Sequence, residues 1–139
     1  MPLNTQVYST DLVVRPDDID FFKHVHSSRY MDYVLAARYD QMERCYGLSL
    51  EELLGHHMGF VITETKMNFK RALTLGDTMR VNTHIDSMVK NDVFVNFDII
   101  ILKTGKVSCD GYFKYSLIDV RTGKGMAVPQ WVIDRYSIA

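Results

Sequence analysis

Asp20-Phe-Phe-Lys-His-Val-His-Ser-Ser-Arg-Tyr30 is the stretch that decides the fold, because it runs without interruption into the one long amphipathic helix pattern of the chain. Ser27 or Ser28 can cap that helix, since a hydroxyl at its start accepts a hydrogen bond from a free backbone N–H. Gly47 occupies a position where a helix commonly ends in the left-handed conformation. The sequence therefore predicts a helix between these points, with the Asp20 carboxylate beside unpaired N–H donors at its positive end.

A helical step of about 100° per residue puts apolar and charged side chains on opposite sides of this helix. The apolar stripe consists of Met31, Val34, Leu35, Met42, Cys45 and Tyr46, and the charged side of Arg29, Asp32, Asp40, Glu43 and Arg44. Arg38 falls inside the apolar stripe, and a buried arginine nearly always has a carboxylate partner. We therefore expect an acidic residue, supplied by the loop before the helix, to pair with Arg38.

Composition and length indicate one ordinary globular domain. A chain of 139 residues with 47% hydrophobic residues buries a core without disulfides or metals, and its net charge of −1 offers no basic surplus to a nucleic-acid backbone. Cys45 and Cys109 lack metal-ligand spacing and are expected to be reduced core residues. The start of the chain lacks the regions of a signal peptide, and no apolar run approaches the roughly 20 residues that span a membrane. By elimination we expect a cytoplasmic protein.

Period-two alternation of apolar and polar residues predicts four long strands in the second half of the chain. The side chains expected to face the core are Val61, Thr65, Met67 and Phe69; Met79, Val81, Thr83 and Ile85; Val93, Val95, Phe97, Ile99 and Ile101; and Val107, Cys109, Phe113, Tyr115 and Leu117. One apolar and one largely polar face indicate an antiparallel sheet covered mainly on one side. Short turns at residues 76–77, 90–92 and 104–106 indicate hairpins between consecutive strands, and so a meander.

Shorter elements flank these strands. Residues 7–15 are expected to form an opening strand and residues 48–55 a short second helix. Residues 126–128 are expected to add a short last strand, and the segment after Pro129 a helical tail. A long one-sided sheet that curls round a single helix makes an α+β domain, which we expect to cover residues 1–139.

Five motifs of the chain occur in the same order in one known family. They are Arg15-Pro-Asp-Asp-Ile-Asp-Phe-Phe-Lys-His-Val-His-Ser-Ser-Arg-Tyr30, Ala37-Arg38, Phe60-Val-Ile-Thr-Glu-Thr-Lys-Met-Asn-Phe69 with Leu75-Gly76-Asp77, Asp110-Gly111-Tyr112-Phe113, and the turn from Asp119 through Thr122-Gly123-Lys124. The chain thus resembles the hot-dog fold thioesterases, in the branch of the 4-hydroxybenzoyl-CoA and short acyl-CoA thioesterases. The resemblance implies a hot-dog fold, with one long central helix wrapped by a curled antiparallel sheet. It also implies hydrolysis of an acyl-CoA or acyl-carrier-protein thioester, a reaction that needs no cofactor.

Asp20 aligns with the catalytic aspartate of that family, and the resemblance implies the same role here. A carboxylate that is ionised at neutral pH can attack the thioester carbonyl itself or activate a water as general base. The backbone N–H groups of Val25, His26 and Ser27, at the helix start, are the expected oxyanion hole. From spacing alone, Asp20 has the simpler alternative role of capping the helix or turning the loop.

His26 and Glu64 are the other catalytic candidates. An imidazole can hydrogen-bond the thioester carbonyl or the leaving sulfur, and His26 stands where the family has Asn, whereas His24 matches a structural histidine. Two histidines so close also suggest a metal site, but no third ligand lies nearby, and no metal is expected. Glu64 matches a glutamate of hot-dog acyl-carrier-protein thioesterases, and its alternative role is a solvent-facing residue beside Lys66.

Tyr30, Lys70 and Arg71 are the substrate-binding candidates. The tyrosine belongs either to an aromatic acyl pocket or to the core. Lys70 and Arg71 can bind the phosphates of CoA or the acidic surface of a carrier protein. Their alternative role is that of solvated surface residues. Asp17 and Asp18, in the acidic loop, are expected to be solvated turn residues.

Three positions depart from the family pattern. Lys23 replaces a glycine, His26-Ser27 an Asn pair and Leu35 a helix glutamate. A function of a different class therefore stays open, that of a non-catalytic acyl-CoA binding module; a hot-dog hydratase would need a different spacing of Asp and His. Because a free sheet edge favours aggregation, we expect a homodimer, which in the family often pairs into a tetramer, with the active site at the seam between subunits.

Overall fold

One long helix packs against a five-stranded antiparallel sheet in the computed structural model, which describes residues 2–138. The elements are β1 (Tyr8–Val13), α1 (Tyr30–Tyr46), α2 (Leu50–Gly55), β2 (Met58–Phe69), β3 (Thr78–Val89), β4 (Asp92–Ile101), β5 (Lys106–Asp119) and α3 (Gln130–Arg135), with short 3₁₀ turns at Pro16–Asp18 and Ser27–Arg29. The predicted α+β architecture is confirmed. None of the helices formed by residues 2–138 has the length and apolar character that crossing a bilayer requires.

The strand order β1-β3-β4-β5-β2 corrects the predicted meander. The β3–β4 and β4–β5 hairpins are as expected, but β2 pairs with β5 and not with β3. The turn at residues 76–77 does not join two paired strands, because the Asp77 carboxylate accepts hydrogen bonds from the Thr74 N–H and hydroxyl and closes a local turn instead. The chain between β2 and β3 therefore crosses the end of the sheet, past the start of α1.

The inward faces of β3 and β4 agree with the alternation, and Met79, Val81 and Ile85 are fully buried. In β2 the prediction is wrong for Val61 and Phe69, which are 39% and 52% exposed, while Ile62 packs on the core in place of Val61. A bulge between Ile62 and Glu64 inserts one extra residue and reverses which face the following side chains occupy. Period-two alternation holds only where the ladder has no such insertion.

The predicted end of α1 is confirmed, because Gly47 adopts φ 67° and its N–H donates to the Glu43 carbonyl oxygen over 3.2 Å. The predicted serine cap is wrong. Ser27 and Ser28 lie inside the 3₁₀ turn that leads into α1, and no side chain caps either that turn or α1. The first N–H groups of this segment are therefore not satisfied by a serine hydroxyl.

The C-terminal segment differs from expectation in one respect. Residues 126–128 form no strand of the sheet and are held by single backbone bonds, from the Met126 N–H to the Leu117 oxygen and from the Val128 N–H to the Lys90 oxygen. The predicted helical tail is present as α3. Its Val132 side chain is fully buried against the second half of the core.

Candidate active site

A loop before α1 and the segment that crosses from β2 to β3 are fastened together at the start of the helix. The Val25 N–H donates to the Leu73 oxygen over 2.9 Å, and the Leu75 N–H donates to the Lys23 oxygen over 3.0 Å. The Leu73 N–H in turn donates to the Tyr30 hydroxyl over 2.9 Å. These three hydrogen bonds are the reason that two segments distant in sequence form one site.

The two segments enclose a cleft of about 340 Å³. Its lining residues are Asp20, His24, Val25, His26, Ser27, Tyr30, Phe69, Lys70, Arg71 and Ala72. Every site residue predicted from the sequence lies in this cleft except Glu64. The Tyr30 ring meets the Phe69 ring edge to face at 5.2 Å between centroids, which gives the cleft an aromatic floor.

Asp20 is half-buried and its two carboxylate oxygens differ. Oδ1 accepts hydrogen bonds from the backbone N–H groups of Phe22 at 2.8 Å and His24 at 3.0 Å, so Asp20 does turn its own loop. Oδ2 accepts no hydrogen bond from any residue in the described range 2–138. One oxygen therefore orients the carboxylate, and the other is free to meet a water or a carbonyl carbon.

The expected oxyanion hole is only partly available in this structure. The Val25 N–H is bound to the Leu73 oxygen, and the His26 N–H donates to the Asp18 oxygen over 2.9 Å. Within residues 2–138 the N–H of Ser27 has no hydrogen-bond acceptor, and neither has that of Ser28. The free donors therefore lie one residue further into the helix start, where the positive end of the helix dipole adds to them.

The two histidines of the loop are both exposed. The imidazole of neither His24 nor His26 hydrogen-bonds another residue of the described chain. His26 directly precedes the free N–H of Ser27, whereas the backbone of His24 forms a bridge with Thr74. His26 is therefore the histidine that adjoins the free donors along the chain.

Lys70 and Arg71 also line the cleft and are held by contacts with β5. The Lys70 ammonium lies 2.8 Å from a carboxylate oxygen of Asp110, and Arg71 donates from Nη1 to the Val107 oxygen over 3.0 Å. The hydrogen bond from Lys70 lowers the pKa of Asp110 below its usual value. Both cations are exposed, and an anion at the mouth of the cleft can reach them.

Glu64 is not brought to the cleft by its own chain. It lies on β2 opposite Lys114, exposed, and five residues before Phe69, which is roughly 17 Å along an extended strand. It sits on the free edge of the sheet, since β2 is paired only with β5.

Asp18 corrects the expectation of a solvated turn residue. It is 7% exposed, and its Oδ2 accepts the hydrogen of the Tyr33 hydroxyl over 2.7 Å. Burial, reinforced by this bond, raises the pKa of Tyr33 to about 12. The Arg29 guanidinium lies 3.6 Å from Oδ1 of Asp18. Asp18 thus connects the acidic loop to α1, a role that was not predicted from the sequence.

Arg38 also departs from expectation. It is 3% exposed, as predicted, but no carboxylate among residues 2–138 pairs with it. The acidic loop cannot supply one, because Asp18 is already bound to Tyr33 and Arg29. Its guanidinium carbon instead lies 5.7 Å from the centroid of the Tyr46 ring.

Comparisons with known proteins agree with the fold. Residues 14–136 match the model of the thioesterase-like superfamily. The long-chain acyl-CoA thioesterase FadM of Escherichia coli (strain K12) is 24% identical over 119 residues, which are 86% of this chain and 89% of that protein.

Solved structures share the same architecture. The DHNA-CoA thioesterase of Staphylococcus aureus superimposes with a TM-score of 0.85 at 16% identity, over 92% of this chain and 85% of that one. The 12:0-ACP thioesterase of Umbellularia californica superimposes with a TM-score of 0.78 at 19% identity, over 93% of this chain and 49% of that one. Together with the family match over residues 14–136, the fold and the cleft at the helix start lead to one conclusion: the chain belongs to the thioesterase-like superfamily, has the hot-dog fold, and is a thioester hydrolase.

Proposed function

We propose that this protein hydrolyses acyl-CoA thioesters in the cleft at the start of α1, with Asp20 as the catalytic carboxylate. The observation that carries the proposal is the pairing, in one cleft, of a free carboxylate oxygen, Oδ2 of Asp20, with the free N–H of Ser27. A thioester needs a nucleophile or base on one side of its carbonyl and hydrogen-bond donors on the other. Similarity to FadM favours coenzyme A as the carrier, and similarity to a 12:0-ACP thioesterase keeps an acyl carrier protein as the alternative.

In the proposed reaction, Oδ2 of Asp20 either activates a water or attacks the thioester carbonyl. Charge that develops on the carbonyl oxygen is stabilised by the N–H groups of Ser27 and Ser28, and removing one such donor typically costs about 10²- to 10³-fold in rate. His26 hydrogen-bonds the leaving sulfur and supplies its proton. Lys70 and Arg71 bind the phosphates of the carrier at the mouth of the cleft.

We also propose that the active form is a homodimer, joined along β2. This strand offers a free edge of 12 residues, and two of its apolar side chains are exposed, Val61 by 39% and Phe69 by 52%. An uncovered edge of this kind is a site of pairing with a second chain. Glu64 lies near the middle of that edge and takes part in the reaction only across the interface. Size-exclusion chromatography with light scattering tests this proposal: a protein that is only monomeric would contradict it, and a tetramer would show that dimers pair further.

Cys45 and Cys109 are both free thiols, which fits a reducing compartment, and we propose the cytoplasm as the place of action.

Release of free CoA from a panel of acyl-CoA thioesters of different chain length tests the catalytic proposal. Asp20→Asn keeps an oxygen that accepts from Phe22 and His24 but removes the negative charge, so the loop is retained and the chemistry is lost. We expect kcat to fall by at least about 10³-fold, since the nucleophile or base is absent. Asp17→Asn, which neutralises an exposed carboxylate of the same loop, is the matched control and should retain activity.

Two outcomes would contradict the proposal. Unchanged turnover in Asp20→Asn would remove Asp20 from the mechanism. Equal losses in Asp20→Asn and Asp17→Asn would show that only the charge of the loop matters.

A further inference from the structure

Arg38 carries a buried charge for which the described chain provides no counter-ion. It is 3% exposed, and its Nε and Nη1 atoms have no hydrogen-bond partner among residues 2–138. A guanidinium donates through five N–H groups and accepts none, so it requires acceptors, and the oxygen of a neutral tyrosine hydroxyl can accept from it without supplying a compensating charge. Such a group is normally paired when it is buried, because an isolated charge is strongly disfavoured away from water.

The neighbours of Arg38 are hydroxyl groups that also lack partners. The hydroxyls of Tyr46 and Tyr115 are buried beside Arg38, and neither forms a hydrogen bond of normal geometry among residues 2–138. Burial raises the pKa of each of these tyrosines to about 12, so both stay protonated at neutral pH and neither supplies a negative charge. The cluster therefore has hydrogen-bond donors in excess and lacks an acceptor that carries charge.

A small cavity of about 40 Å³ adjoins this cluster. Arg38 and Tyr115 contribute to its wall, together with the apolar side chains of Leu35, Met42 and Leu53. Space of this size holds roughly three water-sized groups, which is enough for a carboxylate but not for a phosphate ester with its surroundings. The walls are otherwise apolar, and the surface residues Tyr39 and Leu50 are 51% and 44% exposed, so a longer apolar body can continue towards solvent.

We propose that Arg38 and the Tyr115 hydroxyl bind the carboxylate of a ligand whose apolar body lies against Leu35, Met42 and Leu53. The planar fork of a guanidinium matches a carboxylate with two parallel N–H bonds, and the tyrosine hydroxyl adds a third donor. The site is separate from the proposed catalytic cleft, because the two share no lining residue. Arg38 follows Tyr30 of the cleft by eight residues, or about 12 Å along α1.

Two sources would present the same chemistry. One is a free carboxylic acid, which would occupy the site independently of catalysis. The other is the far end of an acyl chain that carries a second carboxylate, and this alternative rests on the proposed thioester hydrolysis. Both predict the same dependence on Arg38 and Tyr115.

Direct binding, measured by titration calorimetry, tests the site without reference to activity. The probe is hexanoate, and hexanamide has the same shape without the charge. We expect hexanoate to bind at least tenfold more tightly than hexanamide, Arg38→Met to abolish that difference, and Tyr115→Phe to weaken hexanoate about fivefold. Arg44→Met removes an exposed positive charge from the same helix and should leave the binding unchanged.

Tyr115→Phe keeps the buried ring, so it remains informative if Arg38→Met fails to fold. No binding of hexanoate by the unaltered protein at millimolar concentrations would overturn the proposal. So would equal affinity for hexanoate and hexanamide, or equal losses in Arg38→Met and Arg44→Met.

Turnover separates the two sources once binding is established. The substrates are adipoyl-CoA, which ends in a carboxylate, and hexanoyl-CoA, which has the same length and no second charge. If Arg38→Met lowers kcat/KM for adipoyl-CoA alone, the acyl-chain source is supported. If the substitution changes kcat/KM equally for both substrates, a free acid is supported. If neither of these thioesters is hydrolysed by the unaltered protein although others of the panel are, the acyl-chain source is excluded; if no thioester of the panel is hydrolysed, the proposed function fails, and in both cases the calorimetric result still stands.

Discussion

The Tyr33 hydroxyl donates its hydrogen to Oδ2 of Asp18 over 2.7 Å, a buried bond between α1 and the loop that carries Asp20. The same hydroxyl accepts a hydrogen bond from the Arg15 N–H over 3.0 Å, and the Asp18 carbonyl oxygen accepts one from the His26 N–H. Two side chains thus connect the helix, the acidic loop and the candidate oxyanion hole. The geometry of the cleft depends on them although neither lies in it.

Tyr33→Phe should therefore reduce both stability and activity. The substitution removes the hydroxyl that donates to the buried Asp18 carboxylate, and such a loss typically costs about 1–3 kcal/mol in the free energy of unfolding. Urea denaturation measures this loss. Tyr39→Phe, which removes the hydroxyl of an exposed tyrosine on the same helix, should change the free energy by less than about 0.5 kcal/mol. Similar costs for the two variants would contradict a supporting role for the buried bond.

Lys23→Gly should make the protein more stable. Lys23 adopts φ 65°, in the left-handed region, which costs a non-glycine residue roughly 1–2 kcal/mol. Part of the gain is offset by the greater freedom of glycine in the unfolded chain, so we expect a net increase of about 0.5–1 kcal/mol. The matched control is Lys124→Gly in an exposed turn without positive φ, where the same substitution should destabilise. A loss of stability in Lys23→Gly would show that its side chain contributes more than its backbone conformation costs.

Gly111→Ala should be severely destabilising. Gly111 faces β2 across the β2–β5 ladder, and a Cβ on it would lie 1.7 Å from the Lys66 carbonyl oxygen at φ 156°. Because that contact is with backbone, the two strands must separate, and we expect a loss of more than about 4 kcal/mol or failure to fold. Thermal melting and soluble yield measure the effect. Gly123→Ala, where φ is 72° and nothing lies within 4 Å of the added Cβ, should cost only about 1–2 kcal/mol.

Stability should fall at alkaline pH because of buried tyrosines. Burial raises the pKa of Tyr33, Tyr46 and Tyr115 from the ordinary tyrosine value of 10.0 to about 12 in the folded protein. Each group contributes stability that is fully present below pH 10, where both states are protonated. That contribution is lost as the pH rises from 10 towards 12, because only the unfolded chain releases the proton readily.

Thermal melts between pH 8 and 12 measure the alkaline loss, and tyrosinate absorbance shows whether ionisation accompanies unfolding. Tyr115→Phe removes one of the three groups and should make the decline less steep. A melting temperature that stays constant to pH 12 would contradict the burial of these hydroxyls.

Local patterns in the chain were enough to establish the elements. The helix and its end at Gly47, the second helix, and the inward faces of β3 and β4 depend on residues a few positions apart, and periodicity records those directly. The ordered motifs were also enough to indicate the family and to nominate the candidate site residues, all of which except Glu64 lie in one cleft of the structure.

Contacts between segments distant in sequence could not be predicted from local patterns. Pairing of β2 with β5, the bulge after Ile62, the burial of Asp18 against Tyr33 and the lack of a carboxylate at Arg38 all depend on which segments meet. Which N–H donors stay free at the helix start also depends on these contacts between segments. The Val25 N–H donates to the crossing segment, and the His26 N–H donates to Asp18. Alternation and helical period describe how one segment is patterned, whereas hydrogen-bond partners and charges are satisfied only by the neighbours that folding brings together.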